Sequence, residues 1–160
     1  MSVPDLKIIQ GMPIISLWQP WASWVMLGWK TIETRTHDRF RSLRGKRIGI
    51  HAALKLDPDW PRVANPYLTD EQIERTHKFL NVGGAIIGTA EVFNYGLLSA
   101  HHSDMALIDC HNIDRYGLFL RSLETIEAIP AKGKQGIWYL PMESEEPETP
   151  ATHDSQMNLY

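Results

Sequence analysis

The sequence predicts an α+β or mainly β fold, a small barrel-like β sheet with short helices covering its openings. Five or six short apolar segments have the β-branched content or the alternation of strands, and glycine or proline separates most of them. Only two segments have clear helical character. A parallel α/β sheet requires a regular alternation of strands and helices, and this sequence lacks that alternation.

The first half of the chain predicts a strand, a short helix and two further strands. Residues 14–19 are largely apolar and begin with β-branched side chains. Pro20 then suits the first position of a helix over residues 20–27, and Gly28 ends it. The segments that follow are a strand, a polar connection and a second strand, at residues 30–35, 37–46 and 46–54.

The clearest helix of the chain is predicted at residues 68–80. Thr69 can cap it, Gln72 lies three residues later, and Ile73 belongs to its apolar face. Two stretches are predicted to be irregular, at residues 57–66 and 100–114. A strand with glycine at both ends is predicted at residues 83–96, and two strands joined by a loop near Pro130 and Gly133 are predicted at residues 116–141.

Composition excludes several classes of protein. The 160 residues, of which 43% are hydrophobic, suffice for one packed domain. Cys110 is the only cysteine, which excludes an internal disulfide framework and a zinc site built from several thiolates. No apolar run approaches the roughly 20 residues that span a bilayer, and the N-terminus lacks a secretory signal pattern. We therefore expect a cytoplasmic protein without membrane association, metal or cofactor.

Charge is unevenly distributed along the chain, whose formal net charge is −3. Residues 142–160 hold five acidic side chains and no lysine or arginine, so we expect an acidic disordered tail after a domain over residues 1–141. Residues 30–55 hold eight basic and two acidic side chains. Such a stretch either faces phosphates or forms a solvated loop, and charge alone favours the loop.

Four of the six tryptophans lie between residues 18 and 29. Trp24 has apolar helical neighbours and is expected in the core. Trp18 and Trp21 flank Gln19 at the corner between strand and helix, where side chains can face a cleft. A nucleobase can stack on an aromatic face there, although packing is the simpler role for Trp21.

The segment from Lys30 to Arg35 brings oppositely charged side chains together. If Ile32 points into the core, Thr31, Glu33 and Arg35 project from the opposite face of the strand. Arg35 can then grip a phosphate or a base edge while Glu33 accepts from an exocyclic amino group. The alternative is a surface row of ion pairs, and spacing alone does not decide between them.

Several segments in order resemble the ASCH domain of the PUA-like superfamily of small β-barrels. The G-x-K-x-x-E-x-R pattern of residues 28–35 follows SLWQPWA and precedes a GKRIGIHAA strand, and the resemblance covers residues 13–141. It implies a cleft that binds RNA or a nucleotide, with DNA as a further candidate ligand. The residues expected to contact it are Trp18, Gln19, Lys30, Thr31, Glu33, Arg35, Arg39, Arg41 and His51.

Some members of this family resemble ribonucleases or amidohydrolases of N4-acetylcytidine. Their K-T-x-T-x-R pattern is matched by Lys30, Thr31 and Arg35, whereas Glu33 replaces the second threonine. An enzyme of this kind would use Lys30 as base or nucleophile with Glu33 as its partner. A third alternative is a protein-interaction domain whose acidic tail docks elsewhere or covers its own basic cleft.

Other side chains give weaker indications. His51 can act as an acid–base group or form a buried hydrogen bond. The resemblance to the amidohydrolases implies a catalytic glutamate downstream of the lysine, and Glu91 can be that carboxylate or can face water. Lys132 and Lys134 can contact phosphates or belong to a solvated turn. One cluster suggests a metal site but lacks an established ligand spacing, namely His101, His102, Asp104, Asp109, Cys110 and His111.

Overall fold

The computed structural model describes residues 6–112 and 114–141. Within them lie five strands, β1 Ile14–Gln19, β2 Ile32–Arg35, β3 Arg47–Leu56, β4 Ala85–Leu97 and β5 Tyr116–Pro130. The helices are short, α1 Leu6–Ile9, α2 Trp21–Met26, α3 Trp60–Ala64, α4 Asp70–Thr76 and α5 Ser103–Ala106. Single 3-10 turns occur at Arg41–Leu43, Asn65–Tyr67 and Ala100–His102.

The five strands form one mixed sheet in the order β1-β3-β4-β5-β2. β1 and β3 are parallel, with Ser16 beside His51, and the remaining pairs are antiparallel. The predicted α+β class is confirmed, but β1 and β2 are the two edge strands, so this ladder does not close into the predicted barrel. A long hydrogen bond of 3.4 Å from the Arg35 guanidinium to the Ser16 carbonyl links the two edges.

Apolar side chains between the sheet and the helices form the core. Ile15, Val25, Ile50 and Leu118 are fully buried in the main cluster. A second cluster surrounds Trp24, which is fully buried as predicted and donates from its indole to Thr76 at 2.9 Å. Packing on this cluster stabilises α2, α3 and α4, which are too short to persist alone.

Helices α2 and α4 agree with the prediction in position and differ in their ends. The Gln19–Pro20 bond is cis, and Pro20 is the N-cap of α2 rather than its first residue. The predicted cap of α4 is confirmed, since the Thr69 side chain accepts from the Gln72 backbone and the Gln72 side chain accepts in return. The helix ends at Thr76, earlier than the predicted residue 80.

Two segments predicted to be irregular contain short helices. Residues 57–66 include α3, where Pro61 occupies the first turn and needs no intrahelical partner, while Trp60 packs edge-on against Trp24. Residues 100–114 include a 3-10 turn and α5. In both cases tertiary burial, which no local pattern reveals, supplies the stabilisation.

The two strands predicted within residues 116–141 are instead one long strand, β5, followed by an isolated bridge. The strand ends at Pro130, which cannot donate to a ladder, and only Trp138 pairs again, with Ile14. The predicted tail at 142–160 lies outside the described residues. No helix within residues 6–112 and 114–141 is long and apolar enough to cross a membrane.

Candidate functional site

A cleft of about 1040 Å³ lies beside the β1 edge of the sheet, and we call it the main cleft. Its walls come from β1, the end of β2, the loop after β2, β3, and residues 131–137, which we call the strap. A side pocket of about 190 Å³ adjoins it. Ser16, Trp18 and Arg35 line both spaces, and Glu33 and Trp21 line only the side pocket.

Lys30, Glu33 and Arg35 form a connected row of charges. Ile32 is buried on the other side of β2, so Glu33 and Arg35 share the opposite face, in agreement with the predicted strand parity. Glu33 Oε2 lies 3.9 Å from Lys30 Nζ, and Glu33 Oε1 lies 3.5 Å from Arg35 Nε. Only Glu33 and Arg35 reach the side pocket.

Lys30 is enclosed behind Glu33 and is only 2% exposed. Its ammonium donates to the Ala106 carbonyl and lies 4.9 Å from the centre of the Trp21 ring. Burial lowers the pKa of Lys30 from 10.5 to about 8, with Glu33 opposing that change. Lys30 therefore lies within the charged row but lines neither the main cleft nor the side pocket.

Unpartnered buried polar atoms concentrate at this site. Among the described side chains, four buried nitrogen or oxygen atoms lack a hydrogen-bond partner, and three of them are Glu33 Oε2, Arg35 Nε and His51 Nδ1. The fourth belongs to Asn65. Each such atom costs about 1–3 kcal/mol in a folded protein, and a bound ligand or ordered water is a common remedy.

His51 lies on the floor of the main cleft and is 1% exposed. Its Nε2 is 2.7 Å from the Ala131 carbonyl, which can only accept, so Nε2 carries the proton and Nδ1 is an acceptor. Burial lowers the pKa of His51, which favours the neutral ring. A Cβ added at Gly133 would lie 2.5 Å from this ring, so the strap backbone covers it closely.

The walls of the main cleft are cationic. None of the described residues that line it is acidic, and its cations are Arg35, Arg39, Lys55, Lys132 and Lys134. Trp18, at the junction with the side pocket, is 44% exposed, and Lys55 Nζ lies 3.9 Å from the centre of its ring. The site thus joins positive charge, an exposed aromatic ring and one carboxylate.

Besides Lys30, three further predicted contact residues lie outside the main cleft and the side pocket. Gln19 is 1% exposed, and its amide binds Ser23 and the Val82 carbonyl. Thr31 is partly buried, with its backbone bonded to Met105 and Leu120. Arg41 pairs with Asp38 at 2.8 Å on the outer surface.

The residues with weaker indications from the sequence lie partly outside the cleft and partly within it. Glu91 pairs with Arg121 at 3.0 Å and does not reach the cleft. No group of three or more potential metal ligands comes together in the part of the chain that the structure describes. The side chains of Lys132 and Lys134 do line the main cleft.

Sequence reasoning did not single out Ser16 or Lys55. Ser16 accepts from the Trp138 indole at 3.0 Å and lines both spaces. Its strand parity with Trp18 was an available signal, since residues two apart on a strand share a face. Lys55 extends from the far end of β3, and only the tertiary fold brings it over Trp18.

Comparison with known proteins extends these observations. No protein-family model and no curated protein matches this sequence. The crystal structure of ASCH from Zymomonas mobilis matches with a TM-score of 0.52 and 16% identity, covering 82% of this chain and 89% of that one. Two single-substitution variants of that protein also match. One has a TM-score of 0.52 and 17% identity, covering 87% of this chain and 92% of that one. The other has a TM-score of 0.51 and 15% identity, covering 82% of this chain and 91% of that one. The chain therefore has the fold of the ASCH structures, and the resemblance predicted from residues 13–141 is confirmed at the level of fold.

Proposed function

We propose that this protein binds single-stranded RNA or a nucleotide in the main cleft and the side pocket. The observation that carries the proposal is the position of Trp18, an exposed tryptophan between a cationic cleft and a pocket that holds a carboxylate. Stacking on such a ring contributes about 1–3 kcal/mol per base. A base on Trp18 has phosphate-binding cations on one side and Glu33 on the other.

The side pocket supports recognition of a base edge. Glu33 accepts hydrogen bonds, whereas the guanidinium of Arg35 donates them, and both side chains line this pocket. Lys30 Nζ and Arg35 Nε lie 3.9 and 3.5 Å from the two carboxylate oxygens of Glu33, so positive charge flanks this acceptor. This pairing favours a base that presents a donor and an acceptor on one edge.

The proposal is tested by fluorescence anisotropy with a labelled eight-nucleotide single-stranded RNA at 50 and 200 mM salt. Binding is expected to weaken steeply with salt because phosphate contacts release counterions. Trp18→Ala is expected to weaken it by about 5- to 150-fold, the equivalent of one stacked base. The control is Phe93→Ala, since Phe93 is 41% exposed and lies outside the cleft.

Two results would contradict the proposal. The first is absence of binding to RNA and to mononucleotides at 50 mM salt. The second is equal affinity of the wild-type protein and Trp18→Ala. A matched DNA oligonucleotide in the same assay shows whether the cleft prefers ribose.

A second candidate function is hydrolysis of a modified nucleoside such as N4-acetylcytidine, or of an RNA strand. The pKa of about 8 for Lys30 favours it, because a lysine base or nucleophile must lose its proton near neutral pH. The bond from Lys30 to the Ala106 carbonyl and its place behind Glu33 favour binding alone. Substrate would have to reach Lys30 past Glu33.

A further inference from the structure

We propose that the strap is the phosphate subsite of the main cleft, so that the protein takes phosphorylated nucleosides in preference to free nucleosides. The inference rests on the proposed function and deepens it, because it names the ligand class. It also moves the main phosphate contacts away from Arg35, Arg39 and Arg41, the arginines that the sequence analysis expects to contact the ligand.

The strap carries hydrogen-bond donors that the protein itself does not use. Within the part of the chain that the structure describes, residues 132–137 form no hydrogen bond or ion pair. Lys132 and Lys134 line the main cleft together with Gly133, Gln135 and Gly136. Two ammonium groups, an amide side chain and free backbone N–H groups next to glycines are the donors that phosphate oxygens accept from.

Both ends of the strap are held in place. At one end Ala131 donates to the Gly84 carbonyl at 3.0 Å and accepts from His51 at 2.7 Å. At the other end Trp138 exchanges two backbone hydrogen bonds with Ile14, at 2.8 and 3.0 Å. A loop anchored in this way loses less conformational entropy when an anion binds than a free loop would.

The centre of the strap also has a fixed position. Gly133 lies against His51 so closely that a Cβ there would be 2.7 Å from Nδ1 and 2.8 Å from Ser16 Oγ. His51 Nδ1 has no partner, and His51 is 1% exposed. The lysines on either side of Gly133 are therefore carried by a backbone segment seated on the sheet.

Of the arginines between residues 35 and 47, only Arg35 and Arg39 line the main cleft. Arg35 is engaged with Glu33 and the Ser16 carbonyl, and Arg41 is paired with Asp38. Arg39 is exposed and lines the main cleft, so it can support the strap from the opposite wall. A base beside Trp18 and a phosphate at the strap would thus occupy two parts of one cleft.

The experiment compares the four ribonucleoside 5′-monophosphates with the four unphosphorylated nucleosides by isothermal titration calorimetry on the full chain. We expect the monophosphates to bind at least about tenfold more tightly, since hydrogen bonds to a charged group are the strong ones. The double substitution Lys132→Ala with Lys134→Ala should bring that ratio close to one without weakening nucleoside binding.

The matched control removes two exposed lysines outside the main cleft, Lys46→Ala with Lys78→Ala, and should keep the tenfold preference. The Lys132→Ala, Lys134→Ala protein, which we call the strap variant, should also bind the eight-nucleotide RNA with a weaker salt dependence. The magnitude of the slope of log affinity against log salt should fall by roughly 1.4, the amount for two phosphate contacts to a single strand. Circular dichroism of each variant verifies folding, which these exposed positions should not disturb.

The outcomes separate the two proposals. Equal binding of nucleosides and monophosphates by the wild-type protein would overturn the phosphate subsite and leave the proposed function standing. An unchanged affinity and salt slope for RNA in the strap variant would also overturn it. Absence of binding to nucleosides, nucleotides and RNA alike would overturn the proposed function itself.

Discussion

Replacing the buried ammonium of Lys30 with an apolar chain, Lys30→Met, has a consequence for stability that depends on pH. Lys30 is 2% exposed, and burial lowers its pKa from 10.5 to about 8. The fold therefore disfavours the charged form of Lys30, even though Glu33 lies 3.9 Å away. The shift corresponds to about 3 kcal/mol.

The direction in which the free energy of unfolding changes with pH depends on whether the folded or the unfolded chain holds the proton of Lys30. Below pH 8 the folded and the unfolded chain both carry it, so the contribution of Lys30 to the free energy of unfolding is constant. Between pH 8 and 10.5 the folded chain has released the proton while the unfolded chain still binds it. The free energy of unfolding of the wild-type protein therefore rises with pH in this window, relative to a variant that lacks the amine.

The assay is guanidinium denaturation followed by tryptophan fluorescence at pH 7, 8, 9 and 10. The difference in unfolding free energy between the wild-type protein and Lys30→Met should be constant up to about pH 8. As pH approaches 10, the free energy of unfolding of the wild-type protein should then rise by about 2–3 kcal/mol relative to that of Lys30→Met. Lys46→Met, at an exposed lysine, should show no such trend. A wild-type to Lys30→Met difference that does not change with pH would refute the reasoning.

Two further predictions concern the cap of α4 and the candidate hydrolase activity. Thr69→Ala removes the side-chain acceptor of the capping box and should lower the free energy of unfolding by about 1 kcal/mol in urea denaturation, with RNA affinity unchanged; an unchanged midpoint would contradict the assigned cap. If the second candidate function is correct, the wild-type protein should convert N4-acetylcytidine to cytidine and acetate in a chromatographic assay, and Lys30→Ala should not. Equal turnover by both proteins would remove Lys30 from the mechanism.

The local features of the fold could be predicted where short-range chemistry determines them. The capping box identified α4 because Thr69 and Gln72 are neighbours in the sequence and form the bonds themselves. Strand parity likewise put Glu33 and Arg35 on one face of β2 once Ile32 was assigned to the core. Such features need no knowledge of the rest of the chain.

The features that could not be predicted depend on distant partners. Trp138 reaches Ser16 across 122 residues, and this contact brings the strap over the main cleft. The enclosure of Lys30 depends on the Ala106 carbonyl, 76 residues away. Helix α3 likewise depends on the packing of Trp60 against Trp24. Periodicity within a short window carries no information on contacts of this range.

The most direct test of the proposed cleft is an NMR titration of the six tryptophan indole N–H signals with the eight-nucleotide RNA. Trp18 lines the main cleft and is 44% exposed, whereas Trp60 is 3% exposed in the tryptophan cluster of the core. Binding in the cleft predicts that the Trp18 signal moves most and that the Trp60 signal stays in place. A saturable titration that moves Trp60 and leaves Trp18 unchanged would contradict the account.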